Sequence, residues 1–381
     1  MPIEQIFTNA NIVTADEVLH GTIAVRDGLI SDVSTDASML PAAQDMCGDY
    51  LMPGLVELHT DNLERFMNPR PGVDWPSESA VLAHDAQIVS AGITTVFDAL
   101  SIGDISPRKS RLRQLPAMLQ AITQAVDAGH TRAEHRLHLR CELSQENTLE
   151  TFRDVVASPL VQLVSVMDHS PGQRQFVKLE KYREYYQGKY YLSDDEIEAF
   201  IGQQLENSRR YSEVHRRAIV DECRGRTLSM ASHDDATVEH ARESADNGMS
   251  IAEFPTTLEA ARASHAFGLK VLMGAPNIVR GRSHSGNVAA SSLAQDGVLD
   301  ILSSDYYPAS LLQAAGMLAH EVQGYDLPRA VACITLSPAR AAGLHDRGEI
   351  RPGLRADLVR AHRYEQRMVV GQVWRGGSRV F

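Results

Sequence analysis

Long apolar runs are the first thing missing. No stretch of the 381 residues approaches the roughly 18 consecutive apolar residues that a membrane span needs, so no membrane partner is expected. The opening residues, MPIEQIFTNANIVTADEVLHG, do not run from a basic stretch into an apolar one, and a cytoplasmic protein is the expectation. Cysteine is scarce as well: Cys47, Cys141, Cys223 and Cys333 are scattered without CxxC spacing. Neither a disulfide framework nor a thiolate zinc site is indicated, and the four read as small buried hydrophobes. Positive charge is in deficit, with 37 Lys and Arg against 49 Asp and Glu, a net charge of −12. That sign disfavours nucleic acid and anionic lipid, and an anionic substrate would have to be gripped locally. Lysine is confined to Lys109, Lys178, Lys181, Lys189 and Lys270. Repeats, low-complexity segments and linkers are not visible. The remainder, 43% hydrophobic and 23% charged, is an ordinary globular composition long enough for one large core and a small second one.

Both ends of the chain read as short strands broken by turns. IFTNANIVT, GTIAVRDGLISDV and DMCGDYLMPG lack a helical period and predict antiparallel strands. ADLVRAH (356–362) and MVVGQVWRGGSRVF (368–381) continue in the same style, so residues 1–53 and 346–381 are expected to form one small β-sandwich domain. Between them, residues 54–345 alternate apolar β-rich runs with helical stretches. GLVELHTD, ITTVFDA, RLHLRCEL, QLVSVMDH, TLSMASHD, SIAEFP, KVLMGAP and LDILSSD make eight such runs, the number that closes a parallel (β/α)8 barrel of the α/β class. Helices are expected over 115–129, ATVEHARESADNG and LEAARASHAFG, the last two stopping at glycine. After the fourth run, HSPGQRQFVKLEKYREYYQGKYYLSDDEIEAFIGQQL departs from the alternation and leads into a helix through residue 222. Loops of that kind build the active-site face of a barrel, so this segment is a candidate lid, with a surface excursion as the alternative.

In a barrel, strand C-termini converge on one cavity. Here they carry His59 and Asp61, Asp98, Glu142, His169, His233, Glu253, Asn277 and Asp305, a set of imidazoles and carboxylates suited to zinc, manganese or a related divalent ion. His59 and Asp61 stand two apart on a strand, so both face the same side and both are expected to bind one ion. Two ions close together need an anionic bridge. No lysine that could be carbamylated ends a strand, so Glu142 is expected as the bridging ligand, with a surface pairing to Arg136 or Arg140 as the alternative. His169 and His233 then complete the second ion, and Asp305 is expected to hold and deprotonate the attacking water. Asp98 and Glu253 are open between orienting a ligating imidazole and capping the following helix.

These residues resemble the amidohydrolase superfamily of metal-dependent hydrolases, and GLRADLV near the C-terminus is similar to that superfamily's return to its small β domain. More closely, PGLVELHTDNLERF, RPGVDWP, AEHRLHLRCEL, MDHSPGQRQF, ASHDDAT, GAPNIVRG, HSGNVAA and LSSDYYPASLL resemble the triphosphate diphosphatases of the carbon–phosphorus lyase pathway. The resemblance implies hydrolysis of a ribose phosphonate 5-triphosphate to the 5-phosphate with release of pyrophosphate. It also implies two divalent ions, zinc ahead of manganese or another metal. Asp61 stands where the wider superfamily carries a second histidine, which makes the site harder and leaves the metal open. Phosphate contacts are expected from Arg174, Arg280, His284, Asn277 and Arg70, in loops after strand ends where guanidinium forks and backbone amides can meet phosphate oxygens. A homo-oligomer is left open. The same metal site would serve a cyclic-amide hydrolase or deaminase, and a metal-stabilised scaffold without activity is the remaining alternative.

Overall fold

The computed structural model describes residues 4–105, 110–177, 179–283, 286–365 and 367–381. Alternating burial at the start of the chain gives β1 (Glu4–Val13), β2 (Val18–Arg26), β3 (Leu29–Ser34), β4 (Gln44–Asp45) and β5 (Tyr50–Pro53). Eight buried runs follow as β6 (Leu55–Thr60), β7 (Ile93–Ile102), β8 (Glu134–Glu142), β9 (Val161–Met167), β10 (Ser229–His233), β11 (Ile251–Glu253), β12 (Lys270–Gly274) and β13 (Ile301–Ser303). The chain closes with β14 (Leu358–Tyr364), β15 (Arg367–Arg375) and β16 (Ser378–Arg379). Between the buried strands run α1 (Leu63–Met67), α2 (Ser77–Ser90), α3 (Ser110–Asp127), α4 (Thr148–Val155), α5 (Leu179–Tyr190) and α6 (Asp194–Arg226). They continue as α7 (Val238–Asp246), α8 (Leu258–Ala266), α9 (Ala275–Arg280), α10 (Ala290–Gln295), α11 (Ser310–Glu321), α12 (Leu327–Ala332) and α13 (Leu336–Ala341).

All eight expected runs are strands of one parallel sheet, ordered β6 through β13 without interruption. β13 returns to β6 through a parallel bridge between Thr60 and Asp305, so the sheet is a nearly closed barrel with its helices in the connections. The expected helix stops hold as well: Gly248 and Gly268, at φ 75° and 90°, follow α7 and α8, whose N-termini are capped by the hydroxyls of Thr237 and Thr257.

The chain-end strands make a separate eight-stranded sheet, ordered β16-β15-β14-β5-β1-β2-β3 with β4 also on β1. Its pairings are not all antiparallel, as expected from the alternating runs; β4 and β5 lie parallel to β1, because the chain crosses over between residues 34 and 44 rather than turning back in a hairpin. Phe7, Ile12, Ile23, Leu51, Leu358 and Trp374 fill its core, Phe7 meeting Trp374 edge-on at 4.8 Å. Gly54 is the single residue between β5 and β6, and a Cβ there would stand 2.2 Å from Thr94 Oγ1. No larger residue fits.

Contacts divide the chain into two compact units. One contains Met1–Asp98, Gln120–Arg136 and Met273–Phe381; the other contains Ala99–Leu119 and Leu137–Leu272. Within the second, the insertion after β9 forms a 3-10 turn (Arg174–Phe176), α5 and the 33-residue α6. Ser193 and Glu196 start α6 with a reciprocal capping box. Phe176, Tyr182, Tyr186, Ile197 and Ile201 pack into a small core of their own, so the tyrosine-rich stretch expected as a lid carries its own apolar interior.

Candidate active site

In the second unit, four strand ends bring their polar residues together. Glu142, at the end of β8, is 3% exposed. It accepts hydrogen bonds from the His169 backbone N–H at 3.1 Å and from Ser144 Oγ at 3.1 Å, and its Oε2 lies 2.5 Å from His169 Nδ1. Gly103 approaches it so closely that an added Cβ would lie 3.2 Å from Glu142 Cβ and 2.3 Å from Thr148 Oγ1, at a φ of 85°. His169 Nε2 and His233 Nε2 stand 3.4 Å and 3.6 Å from one oxygen of Asp234. Glu253, at the end of β11, takes His233 Nδ1 at 3.1 Å and lies 3.8 Å from His138 Nδ1. It orients an imidazole and caps no helix, since Thr257 caps α8.

Burial would lower the pKa of His169, but Glu142 and Asp234 outweigh it and raise the imidazole to about 10. His169, His233 and Asp234 each offer a ligand atom within 4.8 Å of the others, and imidazole with carboxylate is a donor set that suits zinc or a related ion. The residues present fit a divalent cation.

In the first unit, β6 and β13 are stitched together at the His59 end. The His59 carbonyl accepts from Ser303 Oγ at 2.6 Å and from the Asp305 N–H at 3.1 Å, and Thr60 Oγ1 donates to the Asp305 carbonyl at 2.8 Å. Buried Glu57 accepts from the N–H groups of His59 and Ser304 and lies 2.7 Å from Ser303 Oγ. These bonds hold His59 and Asp305 beside one another. Asp61, half-buried, lies just past the end of β6.

The expected phosphate contacts are placed unevenly. Arg280 ends α9 exposed, Arg70 is exposed in the loop after α1, and Asn277 is half-buried with its Oδ1 accepting from the Ala290 N–H at 3.2 Å. His284 lies outside the described residues. Arg174 differs from the expectation of a loop arginine turned toward substrate. It is 2% exposed, in ion pairs with Asp235 and, at 2.7 Å, with Glu243. Burial, and then the neighbouring Arg216, lower its pKa to about 10, opposed by Glu243. A guanidinium so committed is a strut between the turn after β9 and the loop and helix after β10.

A model described as the amidohydrolase family matches residues 87–368. The chain belongs to the amidohydrolase family. It is 54% identical over 377 residues to the alpha-D-ribose 1-methylphosphonate 5-triphosphate diphosphatase of Escherichia coli (strain K12), covering 99% of this chain and 100% of that protein. It is 31% identical over 101 residues to the L-hydantoinase of Paenarthrobacter aurescens, across 25% of this chain and 22% of that one. Among solved structures, the 5-methylcytosine deaminase of Klebsiella pneumoniae superposes with a TM-score of 0.65 at 15% identity, over 99% of this chain and 97% of that one. At that identity the likeness is one of fold.

Several buried residues of this amidohydrolase escaped the strand-end pattern. Asp234 immediately follows His233, and its φ of 58° turns the carboxylate back beside its neighbour. A histidine followed by two aspartates was the available signal. Asp98, expected at a strand end, is instead a mid-strand residue of β7 that joins His84 to His135, so it caps no helix either. His84 and His135 sit on α2 and β8, and no spacing in the sequence links them.

Proposed function

We propose that this amidohydrolase hydrolyses alpha-D-ribose 1-methylphosphonate 5-triphosphate to the 5-phosphate and pyrophosphate. The observation that carries this is the 54% identity to the Escherichia coli diphosphatase along essentially the full length of both chains. Of the two ions assigned, one takes His169 and His233 with Asp234 and Glu142, and the other takes His59, Asp61 and Asp305. When bound, a divalent ion neutralises phosphate oxygens and makes water more acidic. Zinc is preferred on this donor set, with manganese as the alternative.

Water attacks the phosphorus next to the ribose, and the bond from that phosphorus to the bridging oxygen breaks. Asp305 accepts the proton of the attacking water. Arg280 and Arg70, with Asn277 and His284, bind the outer phosphates and stabilise the charge that leaves with pyrophosphate. Because the protein carries −12, these contacts must gather an anionic substrate at short range.

The test is phosphorus NMR of the purified protein with the ribose phosphonate 5-triphosphate. Pyrophosphate and the 5-phosphate should appear together, chelation should abolish turnover, and zinc or manganese should restore it. Turnover of a hydantoin or cytosine ring with an intact triphosphate would overturn the assignment in favour of a cyclic-amide hydrolase or deaminase. Full activity in metal-free protein would remove the metals from it.

A further inference from the structure

Asn62 occupies the N-cap of α1, a position where asparagine usually accepts a hydrogen bond from the helix backbone. It makes no such cap. Its side chain is drawn away to α2, where Nδ2 meets His84 Nδ1 at 3.1 Å and Gln87 Oε1 at 2.7 Å. From His84 a buried chain continues: Nε2 reaches Asp98 Oδ1 at 2.8 Å, the other Asp98 oxygen takes His135 Nδ1 at 2.7 Å, and His135 Nε2 stands 3.3 Å from Asp85. Asp85 also accepts from the N–H groups of Arg132 and Ala133 at 2.9 Å. Asn62, His84, Asp85, Asp98 and His135 are all at most 2% exposed.

The direction of the bonds follows from what each atom can do. Nδ1 of His84 accepts from the Asn62 amide, so its proton sits on Nε2 and is donated to Asp98. Both nitrogens of His135 face carboxylates, so it carries two protons and a positive charge. Burial opposes that charge, and Asp98 and Asp85 overcome the opposition. His84, Asp98 and His135 could in principle gather around a cation. Every nitrogen there already has a protein partner, and the cluster is complete as a hydrogen-bonded chain.

What this chain holds is the turn that carries Asp61. The Asp61 carbonyl accepts from the Glu64 N–H at 3.1 Å, the Asn62 N–H lies 3.3 Å from Thr60 Oγ1, and Thr60 Oγ1 donates to the carbonyl of Asp305. Giving up a helix cap costs about 1 kcal/mol, and a side chain taken from that task serves another.

We propose that Asn62, anchored through His84, Asp98, His135 and Asp85, is a positioning residue that aims the Asp61 carboxylate at its metal ion. The inference rests on the assignment of Asp61 as a ligand. Buried partners that orient a ligand typically change metal affinity by about 10- to 100-fold when removed.

The experiment titrates zinc against a competing chelator in the full-length wild type, Asn62→Ala, His84→Gln and Asp61→Ala, with the unfolding midpoint of each metal-free protein measured alongside. Asn62→Ala should weaken zinc binding about 10- to 100-fold, whatever the fall in its metal-free midpoint from the lost buried hydrogen bonds, and regain most of its kcat at high zinc with KM unchanged. His84→Gln keeps a donor for Asp98 and loses the acceptor for Asn62; it should weaken zinc similarly, and it carries the test should Asn62→Ala not fold. A fall in the metal-free midpoint with zinc affinity intact would make the chain purely structural and overturn the proposal. If Asp61→Ala binds zinc as tightly as wild type, the ligand assignment itself fails, and nothing remains for Asn62 to aim. Loss of zinc in Asp61→Ala but not in Asn62→Ala or His84→Gln would overturn the positioning alone.

Discussion

Asp234 and Phe254, directly after β10 and β11, and Asp305, two residues past β13, hold left-handed backbone, at φ 58°, 53° and 55°. Aspartate enters that region readily because its short side chain can bond locally, whereas a bulky residue such as phenylalanine pays about 1–2 kcal/mol. Strain of this kind persists where the surroundings over-determine it, and it gathers at functional sites. Asparagine tolerates the same conformation, which makes it the informative replacement for Asp305. Asp305→Asn should fold and bind substrate normally while kcat falls by about 10² or more, measured under saturating substrate with zinc content checked. A near-normal kcat would place the base elsewhere.

At the scale of elements, Arg174 ties the 3-10 turn after β9 to Asp235 and to Glu243 of α7. Replacing it with Met strands Asp235 in the interior, a change that costs about 3–5 kcal/mol, read as a lower denaturant midpoint. Arg280→Ala, at the exposed end of α9, should leave that midpoint alone. It should lower kcat/KM about 10- to 100-fold, the value of one or two charge-assisted hydrogen bonds. The contrast also shows which parts were legible. Buried parallel strands must be continuous apolar runs ending in polar residues, so all eight could be found along the sequence, and with them Glu142, His169 and His233. Arg174 could not be assigned that way, because its partners lie on elements far along the chain and only folding brings them together. For the same reason His84 and His135 gave no signal, while Asp61 and Asp305 stood out by their place after a run.

For the molecule as a whole, the closing segment is locked to the start of β8 by charge. Glu134 meets Arg136, Arg347 and Arg355, with Arg347 at 2.8 Å. Burial pushes the Glu134 carboxyl up, but the three arginines outweigh it and hold it at about 2, against an ordinary 4.5. A lowered carboxylate stabilises the fold fully above about 4.5 and loses that contribution as pH falls toward about 2. At pH 7, Glu134→Gln should therefore cost about 2 kcal/mol, and its stability should converge with wild type as the pH drops through that window, measured by urea unfolding at a series of pH values. The sheet of the chain ends sets a different kind of constraint. β5 pairs with β14, its partner about 300 residues later in the chain. At ribosomal rates of about 5–20 residues per second, the edge of β5 waits roughly 15–60 s for the strand that covers it. Until β14 is made, β5 has no strand to cover its outer edge, and the barrel that begins at Leu55 is incomplete as well. An uncovered strand edge of this kind is a surface that chaperones hold and that neighbouring copies can join.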